Sequence, residues 1–175
     1  MTFKLRLSLW MLLACLTAPA LAQAAEPDGM MDKKMMSSEH SVHDLSPCAP
    51  GGVALSGVDV VSYWDESLSE RPLVASEAFT AVHNQLTYRF ATEANRDRFL
   101  ADPDAYLPSY QGWCSTNLAM GRLACPDVTN FEIQNGRLLL FEQIGFSNGR
   151  DVWNLDADGH RSAADANFRQ LLDQG

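Results

Sequence analysis

The sequence predicts an α+β domain, a small antiparallel sheet of β-hairpins packed with short helices. Two β-rich runs flank the turn His83-Asn84-Gln85, and two more flank Asn135-Gly136, a preferred pair for a tight hairpin. Helix signals follow each hairpin, without the regular strand–helix–strand alternation of a parallel sheet.

The first stretch, M-T-F-K-L-R-L-S-L-W-M-L-L-A-C-L-T-A-P-A-L-A-Q-A, has two early cations, an apolar run short for a bilayer, and small residues at cleavage spacing. It predicts a secretory signal peptide over 1–24, cut after Ala24 or Ala22, and a periplasmic or secreted protein. A second reading takes L-L-A-C, ending at Cys15, as a lipoprotein site, and membrane contact is expected only in that case. Residues 25–52 are polar and rich in Pro, Gly and Ser, which predicts a flexible arm ordered only near Cys48. The folded body is expected over 53–175.

Within it, V-A-L-S-G-V-D-V-V-S-Y-W (53–64) has the apolar density of a strand and turn. The hairpin over 79–92 places Tyr88 and Phe90 on one face. Thr92 reads as the N-cap of a helix whose inward edge is Phe99 and Leu100, and which stops at Asp102-Pro103. Residues 118–125 fit a helical turn or a loop, and a second hairpin spans 131–142. From about 148 to 172, helical pieces around D-A-D-G carry an apolar face of Ala163, Ala166, Phe168, Leu171 and Leu172.

The 175-residue chain has 13 cations and 22 acids; loss of Lys4 and Arg6 with the signal moves the net charge from −9 to −11. With no basic run, nucleic-acid partners are excluded, whereas cations are attracted. There is no phosphate loop and no H-E-x-x-H, so no enzyme class follows from these motifs.

The blocks S-G-V-D-V-V-S-Y-W, L-T-Y-R-F-A-T-E-A-N-R-D-R-F-L-A-D-P-D-A-Y-L-P-S-Y-Q-G-W-C, N-G-R-L-L-L-F and A-D-A-N-F resemble, in order, the exported YHS-domain proteins. The resemblance implies a treble-clef-related α+β module and a metal-binding role. One departure is Arg89, which stands where a histidine is typical, and a guanidinium cannot ligate a metal.

The candidate chemistry lies in three places. The arm presents Met30, Met31, Met35, Met36, His40 and His43, soft and borderline donors that suit copper. Cys48, Cys114 and Cys125 remain after signal cleavage, an odd number in an oxidising compartment. A Cys48–Cys125 bridge would leave Cys114 free as an inert thiol, a redox nucleophile or a metal ligand; Cys114–Cys125 and a metal-bound Cys48 are the other arrangements. Trp64, Tyr106, Tyr110 and Trp113 suggest an aromatic pocket near Cys114, fit for a small ligand or partner. Asn154, Asp156, Asp158 and Asp165 mimic calcium-loop spacing but read better as a polar turn before a helix. His83 and His160 are expected in surface turns or loops.

Overall fold

The structure is a computed structural model and describes residues 48–68 and 71–174. The signal peptide, Cys15 and the arm ligands Met30, Met31, Met35, Met36, His40 and His43 lie outside the described residues. The fold is mixed α+β, with three two-stranded antiparallel sheets packed with short helices. Among the described residues no helix is long and apolar enough to cross a membrane.

The two hairpins form as the turn residues require. Strand β1 (Ser76–His83) pairs with β2 (Leu86–Phe90) through Asn84 and Gln85 at φ 46° and 66°. Strand β3 (Asp127–Gln134) pairs with β4 (Arg137–Phe141) through Asn135 and Gly136 at φ 52° and 70°. Both turns therefore put two residues in the left-handed region, matching the twist of the strands they join. A third, minimal ladder joins β5 (Gln143–Ile144) to β6 (Ser147–Asn148).

Helix α1 (Glu93–Ala101) begins where the Thr92 hydroxyl accepts the Asn95 N–H at 3.1 Å. Helix α2 (Ser115–Ala119) follows Cys114, α3 (Gly149–Leu155) is capped by Asn148, and α4 (Ala157–Gln174) ends the described chain.

The run R-L-L-L-F in β4 is the pivot of the packing. Because strand side chains alternate, Leu138 and Leu140 enter one core with Val60, Tyr63, Tyr88, Phe90 and Phe99. Leu139 and Phe141 enter a second core with Tyr110, Leu118, Trp153 and Ala164. The strand is thus buried on both faces.

Several expectations need correction. Residues 53–64 form 3-10 turns (Ala54–Gly57 and Val60–Trp64), with Leu55 and Ser56 both at φ 52°. The reason is the buried Asp59, whose Oδ1 accepts the Val61 N–H at 2.9 Å and caps the second turn. Leu100 is 56% exposed, and Phe99 alone of that pair packs inward. In α4 the fully buried residue is Ala164; Ala166 and Leu172 are exposed, while Phe168 and Leu171 pack partly against the second core.

Candidate functional site

Cys114 is placed by the chain reversal that precedes it. Tyr110 and Gln111 adopt left-handed φ values of 58° and 54°, followed by Gly112 at 88°. The Trp113 N–H then donates to the Tyr110 carbonyl at 3.1 Å, and the Cys114 N–H to the Ala124 carbonyl at 3.0 Å. The Cys114 sulfur is 0% exposed and accepts the Glu142 N–H and the Asn117 Nδ2–H, each at 3.2 Å. It is a free thiol sealed between α2 and the end of β4.

The other two cysteines are joined. Cys48 and Cys125, separated by 77 positions, form a disulfide with Cα atoms 5.3 Å apart. Cys48 is half-buried and Cys125 exposed. The bridge forms one wall of an apolar cleft of about 160 Å³, with Leu55, Leu86, Tyr88, Pro108, Pro126 and Val128 around it.

Two left-handed turns border this cleft, Leu55-Ser56-Gly57 and Tyr110-Gln111-Gly112. Each non-glycine residue there costs roughly 1–2 kcal/mol, so something else must hold the turns. Around Tyr110 it is a polar network. The Tyr110 hydroxyl donates to Asp165 Oδ1 at 2.9 Å, and the Arg137 guanidinium donates to both Asp165 oxygens at 2.9 and 3.2 Å. Arg137 also lies 5.0 Å above the Tyr110 ring. Burial, then the bond to Asp165, pushes the Tyr110 phenol well up. Burial opposes ionisation of Asp165, but the bonds from Arg137 and Tyr110 outweigh it and hold its carboxyl below the ordinary range.

A second cleft, about 450 Å³, opens where the turn Val60–Trp64 meets α1. Its wall includes Trp64, Asp65, Glu66, Asn95, Arg98 and Tyr106. Asp59 supports this wall from behind. Besides capping the turn, its Oδ2 accepts the Ala91 N–H at 2.9 Å and the Asn95 Nδ2–H at 2.6 Å. A fully buried carboxylate is thereby matched by three donors. The Trp64 Nε1–H is buried and has no acceptor among the described residues.

Of the four aromatics expected around one pocket, Trp64 and Tyr106 line the second cleft. Tyr110 and Trp113 are buried and line neither cleft. His83 meets Tyr88 and Phe99 edge-on, at 6.4 and 5.8 Å. His160 is in α4 rather than a loop; it stacks on Trp153 at 5.9 Å, with Nδ1 3.0 Å from the Trp153 carbonyl. The calcium-like spacing resolves into structure: Asp156 accepts the Gly159 N–H, Asp158 pairs with Arg161, and Asp165 pairs with Arg137. No group of three or more His, Cys, Asp or Glu side chains suited to a metal occurs among the described residues.

No family model, curated protein or solved structure matches the chain.

Sequence reasoning did not single out Asp59, Asn95 or Arg98. An aspartate directly before V-V-S-Y-W is a cap signal, and that is the trace Asp59 leaves in the sequence. Asn95 and Arg98 leave none, because a solvated helix face has the same composition.

Proposed function

We propose that the protein is an exported, non-catalytic carrier of a soft metal ion, copper foremost, related to the exported YHS-domain proteins. The arm residues Met30, Met31, Met35, Met36, His40 and His43 hold the ion, and the folded domain is the body to which the arm is fastened. The carrying observation is the Cys48–Cys125 bridge. His43 precedes Cys48 by five residues, so its Cα stays within about 18 Å of the anchored cysteine. An ion held by His40 and His43 therefore remains near the bridged face of the domain.

The donor chemistry supports this reading. Thioethers favour Cu(I), imidazoles accept Cu(I) or Cu(II), and an acidic chain favours a cation. Imidazole binds a metal only when neutral, so affinity falls as the pH drops through the histidine range near ~6.5. A redox role for Cys114 requires an accessible thiolate, and full burial of that sulfur weighs against it.

The test is a competition titration with Cu(I), comparing the mature chain with one lacking residues 30–43. Deletion is expected to abolish tight binding while leaving the thermal transition of the domain in place. Unchanged stoichiometry and affinity after deletion would remove the arm from the mechanism.

A further inference from the structure

The cleft beside Trp64 is independent of the arm and has the features of a small-molecule site. Its volume of about 450 Å³ falls within the roughly 300–1,000 Å³ of such sites, whereas the cleft at the bridge, about 160 Å³, lies below it. The cleft combines an apolar surface, from Val61, Leu73 and the Trp64 and Tyr106 rings, with charges of both signs.

Three features define what it would take. The buried Trp64 Nε1–H has no acceptor among the described residues. Leaving such a donor unmet costs roughly 1–3 kcal/mol, so a ligand acceptor placed there is favoured. Arg98 is exposed and lies near enough to Asp65 to favour its ionised form, but makes no direct ion pair with a carboxylate among the described residues, so its N–H donors remain available to an anionic group. Asp65 and Glu66 lie in the same wall. Hydrogen bonds from the Ser67 hydroxyl and N–H, at 2.6 and 3.0 Å, hold the Asp65 carboxyl below its ordinary range and keep it ionised.

A simple anion would meet Arg98 but face two carboxylates. A simple cation would meet the carboxylates but leave the indole N–H and Arg98 unused. A molecule with both charges and an apolar body satisfies all of them. We infer that this cleft binds a small apolar amino acid in its zwitterionic form: the ligand carboxylate accepts from Trp64 Nε1 and Arg98, the ammonium faces Glu66 and Asp65, and the side chain packs on Val61 and Leu73.

Asp59 shapes the site without touching the ligand. By bonding the Val61 and Ala91 N–H groups and Asn95 Nδ2, it fixes the turn carrying Trp64 against the helix carrying Arg98.

The test uses the full mature chain, labelled with nitrogen-15, and follows the indole N–H resonances, with Trp64→Phe assigning the Trp64 signal. L-leucine is expected to shift that signal saturably and to leave the Trp153 signal in place, because Trp153 Nε1 already donates to Gln134 Oε1 at 3.0 Å. Arg98→Ala and Glu66→Gln are each expected to weaken the response roughly threefold to tenfold while keeping the thermal transition. Acetate alone and methylammonium alone are expected to fail. Saturation by either ion at the same concentrations would overturn the zwitterion assignment, and so would the absence of a saturable shift with L-leucine.

Discussion

The cleft beside the Cys48–Cys125 bridge is walled by a covalent cross-link, prolines and two left-handed turns, whereas the cleft beside Trp64 is walled by an exposed guanidinium, two carboxylates and an indole with no acceptor among the described residues. The first region concentrates devices that hold a shape. Its backbone is strained, and that strain persists because the bridge, the Arg137–Asp165–Tyr110 network and the packed core over-determine it. The second region has ordinary backbone but leaves polar groups unmet. Unmet donors and open charges are features that a ligand can complete; a cross-link and a salt-bridged turn are features that already complete each other. The bridged region is accordingly read as an anchor for the arm, and the Trp64 region as a binding site.

The largest expected effect is on the anchor. Replacing both Cys48 and Cys125 by Ser opens a loop of 77 positions, and chain entropy predicts a loss of roughly 4 kcal/mol in unfolding free energy by urea titration. A loss below about 1 kcal/mol would mean that the bridge does not hold this region.

Next comes the support of the binding cleft. Asp59→Ala strands two backbone donors and the Asn95 amide in a fully buried site, with an expected loss of roughly 3 kcal/mol in the same titration.

The two indoles sharpen the contrast between met and unmet donors. Trp153→Phe removes a bonded, fully buried indole and should cost roughly 2 kcal/mol. Trp64→Phe removes a donor that has no acceptor among the described residues, so its cost is expected to stay within about 0.5 kcal/mol. Equal losses in thermal unfolding would erase the distinction between met and unmet donors.

The smallest effect is a pH dependence at the Tyr110 turn. Asp165 has a lowered folded-state value, so its contribution is complete above the ordinary aspartate range near ~4 and fades as the pH falls through that lowered value. Midpoints for the native chain should drop faster than those of Asp165→Asn over this acid range. Parallel curves would show that the ionised carboxylate does not hold the turn.

The hairpins were legible because their information is local. Asn135-Gly136 and the Asn84-Gln85 pair announce left-handed turns, and Thr92 announces a helix start. The segment 53–64 has the apolar density of a strand, which hides its turns. Its geometry is instead set by Asp59, whose partners Ala91 and Asn95 are 32 and 36 positions away. Tyr110 and Trp113 are expected with Trp64 and Tyr106 because of the aromatic density beside Cys114, yet the reversal at Tyr110-Gln111-Gly112 directs the chain into the second core. Trp64 and Tyr106 share a cleft, but Cys114, beside which the aromatic pocket is expected, does not line it, and the charged residues of that cleft leave no sequence signal. A lone buried thiol at Cys114 is among the expected outcomes; of its two N–H donors Asn117 is local, whereas the Glu142 N–H comes from the end of β4, 28 positions away, and could not be read locally.

The anchored arm and the sealed thiol are both tested by mapping the thiols of the non-reduced mature protein by alkylation and peptide mass analysis. The prediction is a linked Cys48–Cys125 peptide and a Cys114 that is labelled only after denaturation. Rapid native labelling of Cys114, or its recovery in a disulfide, would contradict the account.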